Sequence, residues 1–330
     1  MRHSSQFALG AAAAALGLAL TAGASLQPMN GTLAQANEAL QAGEADRALG
    51  LISSLPQAGE SDATAQNLAC RVEFTMAQWD AAVRDCQQAV NLDPESASFH
   101  MWLGRALGEK ANRASFLSAF SLGKRVLAEF QTAARLDPRD AEALADLGSF
   151  YVEAPSVVGG GLDKAESVAQ QLDRVDPARA AELRAGIAQE RGDYAAAEDQ
   201  LKKSVEVSRH PAFQWTTLAR FYQRRKRWAE MDMALRNCMN AAARDPHAGV
   251  ALYDAAGVLI LAKREPQLAI EFLQQYLSSS SKTEEAPTFV AYYRLARLQQ
   301  QVGDAAGAQL SQASAYRLAR AYNQAQDMRR

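Results

Sequence analysis

Histidine is scarce in this chain. His3, His100, His210 and His247 are the only four, each stands alone, and no HExxH or other paired spacing joins them, so no metal site is read from them. There is no GxSxG elbow, and no glycine-rich loop runs into Gly-Lys-Ser or Gly-Lys-Thr. Those absences remove the usual marks of an α/β-hydrolase and of a P-loop nucleotide site. No alternating Val/Ile/Tyr run bounded by turn residues suggests a strand. A net charge of -2 leaves no basic surplus for bulk binding to nucleic acid or to an anionic membrane. Cysteine occurs three times and proline only ten times in 330 residues, while Ala, Leu, Gln and Arg, all good helix formers, are plentiful.

The one long apolar stretch is at the start. Arg2 and His3 precede an alanine-rich run from Phe7 to Ala22, followed by the small-x-small sequence Ala22-Gly23-Ala24. This reads as a secretory leader cut near Ala24, because a membrane span needs about 20 strongly apolar residues. The expected location is therefore periplasmic or secreted. A retained anchor is the other reading. No later segment is apolar enough to span a bilayer.

Beyond the leader, a small residue returns near every thirty-fourth position. Ala36, Cys70 and Gly104 are 34 apart, and Gly148, Ala185, Ala219, Gly257 and Ala296 follow at spacings of 44, 37, 34, 38 and 39. Several have a second small residue 12 positions on: Ala36/Ala48, Cys70/Ala82, Ala185/Ala197, Gly257/Ala269 and Ala296/Ala308. Two small residues astride a turn are what a tight antiparallel helix pair needs at its closest approach. Prolines punctuate the ends, as at Asp93-Pro94, Asp137-Pro138, Asp176-Pro177, His210-Pro211, Asp245-Pro246 and Ala286-Pro287.

These residues resemble the tetratricopeptide repeat family, whose signature is W-x2-L-G-x2-Y, a turn, then A-x3-F and a closing proline. Trp215-x2-Leu218-Ala219-x2-Tyr222 matches it closely, and Leu144, Leu147-Gly148 and Tyr151 keep the spacing. Tyr253, Ala256-Gly257 and Ile260, then Ala269 and Leu273, repeat it. The resemblance implies an all-α, right-handed superhelical solenoid of about eight helix-turn-helix repeats. The expected organisation is a leader over 1–24 and one array over 25–330. Repeats fall near 29–60, 61–94, 95–138, 139–177, 178–210, 211–246, 247–287 and 288–316, with a C-terminal cap over 317–330.

Two repeats carry insertions. In repeat three the second helix is expected over Ser121–Leu136, after an added segment near Lys110–Phe120 whose Phe116, Leu117 and Phe120 should pack on the array. In repeat four, Pro155-x3-Gly159-Gly160-Gly161 is similar to a loop of transporter-associated and microtubule-regulator branches of the family. It is either a long turn needing positive φ or an anion-binding nest before a helix.

In a hairpin turning near Gln78, Cys70 and Cys86 fall opposite one another. Export would allow a disulfide, worth about 3 kcal/mol; two small buried thiols are the other reading. Cys238 is expected to be buried and inert. The resemblance also implies that the first helix of each repeat lines a concave groove. The position after the small residue would then present Arg71, Arg105, Ser149, Arg220, Val258 and Arg297. Neighbouring groove candidates are Asn67, Phe74, Met101, Phe213, Thr216, Gln223, Arg224, Asp254 and Tyr293. Arginine with aromatics suits acidic or carboxylate-bearing peptides, although arginine is also simply a good exposed helix former. The run Arg224-Arg225-Lys226-Arg227 reads as a solvated turn or a rim for an acidic partner.

The expected function is non-enzymatic binding of a protein or peptide partner, as a scaffold or assembly factor of the cell envelope, with no cofactor, no metal and no nucleic acid. The alternative is a periplasmic solute- or lipid-binding accessory of a transporter, which a closed apolar pocket lined by Phe116, Phe120, Val157 and Leu261 would favour.

Overall fold

Helices in this protein start where the chain supplies an acceptor for their unpaired amides. In the computed structural model, which describes residues 31–55 and 62–322, the carboxylates of Asp62, Asp140 and Asp176 each accept from two backbone amides of a first helical turn. Ser96, Asp193 and Asp304 each accept from one. Pro177, Pro211 and Pro266 sit in first turns, where a missing N–H costs nothing. The leader, its cleavage site and the last residues of the C-terminal cap lie outside the described residues.

Among the described residues, sixteen α-helices form eight antiparallel pairs, grouped in two units. The first unit holds α3 (Ala63–Thr75) with α4 (Trp79–Leu92), α5 (Ala97–Ala111) with α6 (Phe116–Leu136), α7 (Ala141–Glu153) with α8 (Leu162–Leu172), and α9 (Pro177–Glu190) with α10 (Tyr194–Val207). The second holds α1 (Gly31–Gln41) with α2 (Ala45–Ser53) and α11 (Pro211–Arg224) with α12 (Trp228–Ala242). It continues with α13 (Gly249–Ala262) and α14 (Pro266–Ser278), then α15 (Thr288–Gln301) and α16 (Ala305–Leu318). No strand occurs among the described residues.

The recurrent small residues lie where helices meet. Ala36, Ala48, Cys70, Ala82, Ala185, Ala197, Ala219 and Ala269 are fully buried. A Cβ on Gly104 would strike the Phe130 ring of the partner helix α6, and one on Gly148 would strike Leu183 of α9. Between these contacts the first unit buries Leu103, Leu107, Leu144, Leu172 and Ile187 in one core. The second buries Phe272, Tyr276 and Phe289. Cys70 and Cys86 are joined as a disulfide across α3 and α4, with Cα atoms 5.2 Å apart.

One expectation is corrected. The added segment of repeat three is not a loop packed on the array: α6 begins at Phe116, and Phe116 and Leu117 face solvent. The glycine loop has the form of the long turn with positive φ. Its amides are already taken: Val158 and Gly160 donate to the Pro155 carbonyl, Gly159 to Ser156 and Gly161 to Tyr151. Gly160 is required there because a Cβ would run into the Ala154 carbonyl oxygen, and Gly159 adopts φ +109°. Lys164 Nζ adds a bond to the Gly159 carbonyl at 2.8 Å.

The first repeat packs with the last described helices. Gln41 and Glu284 exchange hydrogen bonds at 3.3 Å, and the Asp46 carboxylate accepts from the Arg320 amide at 3.1 Å. Gly43, at φ +74°, brings its turn against Thr288, leaving no room for a side chain.

Intact-mass measurement after thiol alkylation checks the disulfide. We expect one reactive thiol in the unfolded, unreduced protein and three after reduction; three before reduction would show Cys70 and Cys86 to be free.

Candidate binding faces

The leading helices of the first unit lie side by side, and a line of side chains crosses them. Trp102 of α5 is its centre. Phe74 of α3 meets the ring edge-on at 5.5 Å, and the guanidinium groups of Arg71 and Arg105 lie over it at 5.6 and 4.9 Å. Arg105 then reaches α7, where its Nε donates to Asp146 at 2.6 Å and Nη2 lies 3.4 Å from Glu142. Arg179 of α9 approaches the same Glu142 at 3.8 Å and holds Asp176 at 3.1 Å. Burial pushes the Glu142 carboxyl above its ordinary range, and the charges of Arg105 and Arg179 oppose that rise.

The second unit repeats the arrangement more loosely. Arg220 of α11 stands 3.9 Å from Asp254 of α13, and Arg294 of α15 stacks 4.5 Å over Tyr253. Burial raises the Asp254 carboxyl while Arg220 and Arg294 pull it down.

The groove candidates thus divide. Asn67, Arg71, Phe74, Met101 and Arg105 belong to the first unit, and Phe213, Arg220, Gln223, Arg224, Asp254, Tyr293 and Arg297 to the second. Asn67, Met101, Phe213, Thr216 and Tyr293 are buried and offer a partner little surface. Val258 is buried as well. Arg105, only 14% exposed, and Arg220 brace neighbouring helices through carboxylates. Arg71, Phe74 and Gln223 remain half-exposed, and Arg224 and Arg297 exposed.

Some chemistry escaped the sequence reading. Glu73 is buried beside the disulfide. Its burial and the adjoining Asp85 carboxyl lift it to about 8, and Arg84, 3.5 Å away, opposes this only in part. Counting from the turn at Gln78, which pairs Cys70 with Cys86, sets Glu73 opposite Val83 and gives no signal for its contact with Asp85. His210 and His247, read as isolated, have rings 6.1 Å apart, with Asp245 bonded to His210 at 2.6 Å. His100 ties α5 to Glu129 of α6 at 2.6 Å and to the Pro94 carbonyl at 2.9 Å. Burial pushes the Cys238 thiol up to about 12, so it stays protonated at neutral pH, 3.2 Å from the Thr216 hydroxyl. Phe116, Val157 and Leu261 are solvent-exposed. No described helix is long and apolar enough to cross a membrane, and no group of three metal-binding side chains is placed together among the described residues.

By its own geometry the chain has a tetratricopeptide-like fold. No family model and no curated protein matches the sequence. Among solved structures it is similar to TTC0263, a thermophilic TPR protein of Thermus thermophilus, at 19% identity and TM-score 0.48, over 58% of this chain and 96% of that one. It is also similar to YrrB, described as a TPR protein with an unusual peptide-binding site, at 20% identity and TM-score 0.40 over 56% and 88%. The MamA protein aligns at 18% identity and TM-score 0.39 over 53% and 91%. Likeness of this degree assigns this chain no partner and no activity.

Two substitutions separate bracing from exposed arginines. Arg105→Ala should cost about 2–3 kcal/mol, since it leaves the half-buried Asp146 without its cation and Glu142 with Arg179 alone, whereas exposed Arg297→Ala should stay within about 0.5 kcal/mol. Thermal melts of the two variants check this. Glu73 is raised in the folded state, so its stabilising contribution is complete below the unfolded value and is lost as pH rises toward about 8. Glu73→Gln should therefore melt above the parent at pH 9 and near it at pH 4.5, and equal melting at both would refute the assignment.

Proposed function

We propose that the protein is a non-catalytic scaffold that binds a protein or peptide segment along the leading-helix faces of its repeat units. We place its work in the bacterial cell envelope, after removal of residues 1–24. The observation that carries the first part is the braced row of leading helices. Arg105 in the first unit and Arg220 in the second each brace neighbouring helices, so Arg71 and Phe74 stand on a preformed face of the first unit and Gln223, Arg224 and Arg297 on one of the second. A face already ordered in the free protein binds an extended or helical segment with little ordering cost. The mix of arginine and aromatic groups favours a segment carrying carboxylates. The envelope placement rests on the leader-like start and on the Cys70–Cys86 bridge, which suits an oxidising compartment.

Site-specific photocrosslinking in living cells tests both parts. A photoreactive residue at Phe74 or Gln223 should capture a discrete partner that fractionates with the envelope. The same group at Lys203, on the outer helix α10, should not. Capture from Lys203 alone would move the binding surface, and capture only of cytosolic proteins would refute the location.

A further inference from the structure

The tip of α6 has no explanation in folding. With Gly104 opposite Phe130, the end of α5 at Ala111 lies opposite Gly123. The turns from Phe116 to Leu122 therefore project past their partner helix by about 10 Å, at about 1.5 Å per residue. Phe116, Phe120, Gly123 and Leu127 form one stripe. Its inner half is covered, because Val158 packs on Gly123 and Gly159 on Leu127. Its outer half is bare: Phe116 is 85% exposed and Leu117, on its flank, 81%, while Val157 of the adjoining turn is 69% exposed. Phe116 and Leu117 on the end of α6 and Val157 beside it cost solubility, while Phe120 behind them is only 38% exposed.

The charged groups of α6 nearest the bare end are the basic Lys124 and Arg125, while Lys110 and Arg113 of the preceding segment are paired with Asp80 at 2.7 Å and Glu109 at 2.6 Å. From Lys110 to Ala128, and again from Ala154 to Leu162, there is no Asp or Glu, although acids slightly outnumber bases in the whole chain. Lys110, Arg113, Lys124 and Arg125 lie in the first segment, and Lys164 follows the second. Lys124 Nζ lies 4.8 Å over the Phe120 ring, with its stem along the apolar stripe and its ammonium beside it.

We infer that this tip inserts into the surface of an anionic lipid bilayer. A convex, projecting end fits no peptide segment, whereas a wedge of Phe and Leu collared by lysine suits the headgroup–acyl boundary, which such helices enter to about 5–10 Å. The near-neutral total charge does not oppose this, because attraction to anionic lipid acts within about a Debye length of the surface. The site is separate from the leading-helix faces and operates whether or not a peptide binds there.

The test uses the exported protein, its N-terminus defined by intact mass, with vesicles of phosphatidylglycerol and phosphatidylethanolamine or of phosphatidylcholine alone. Co-sedimentation should favour the anionic vesicles and fall about tenfold for each of Phe116→Ser and Leu117→Ser. Lys124→Glu should weaken binding to anionic vesicles only, and far-UV circular dichroism should be unchanged in all three variants. An environment-sensitive fluorophore on Leu117→Cys should shift to the blue when anionic vesicles are added, which separates this site from any binding by residues 1–24. Equal sedimentation of parent and variants with no fluorescence shift would overturn the inference. So would a dimer in light scattering that Phe116→Ser dissolves, since the tip would then be covered by a second copy.

Discussion

The whole arrangement rests on how closely two helices approach. Where a glycine, alanine or cysteine faces its partner, the backbones come together and the neighbouring large side chains interlock in one register. Gly104 shows the effect most plainly, because the Phe130 ring occupies the space a side chain would need. That contact sets the position of α5 on α6, hence where Trp102 and Arg105 emerge, and hence which carboxylates Arg105 can reach. Interiors packed to crystal density leave no continuous set of alternatives, so one small residue propagates to a face several turns away.

On the leading-helix face, charge serves architecture before recognition. Arg105, Glu142, Asp146 and Arg179 alternate in sign across three helices. Buried pairs of this kind add little net stability over apolar packing, but they penalise any register that leaves a charge unmatched. The cost appears in the raised carboxyls of Glu142, Glu73 and Asp254, all driven first by burial. A repeat protein that must present a defined face gains from this, since sliding one helix by a turn would strand several charges together.

Local patterns were legible, and distant partners were not. The small residues 12 apart astride a turn and the opposition of Cys70 to Cys86 depend on residues within one helix pair, where geometry follows from counting. Arg105 is legible as a face residue, but its acceptor lies 41 positions away on the next pair. Helix periodicity carries no information about which side chain a neighbouring repeat brings. The glycine loop stayed open between turn and nest for a related reason: whether its amides are free depends on carbonyls at Tyr151 and Pro155, which only the folded turn places beneath them. The docking of Gln41 and Asp46 on Glu284 and Arg320 joins the two ends of the chain, and no repeat pattern announces it.

By itself, the sequence determined the class of fold, the number of helix pairs, the positions of closest approach and the two irregular repeats, because each follows from 3.6-residue periodicity and the size of one side chain. Tertiary structure alone decided which arginines brace and which face solvent, that α6 overruns its partner with a bare apolar tip, and that the first pair closes on the last. Those outcomes depend on distances between elements far apart in the chain, where small shifts in packing decide whether a side chain meets a carboxylate, a ring or water.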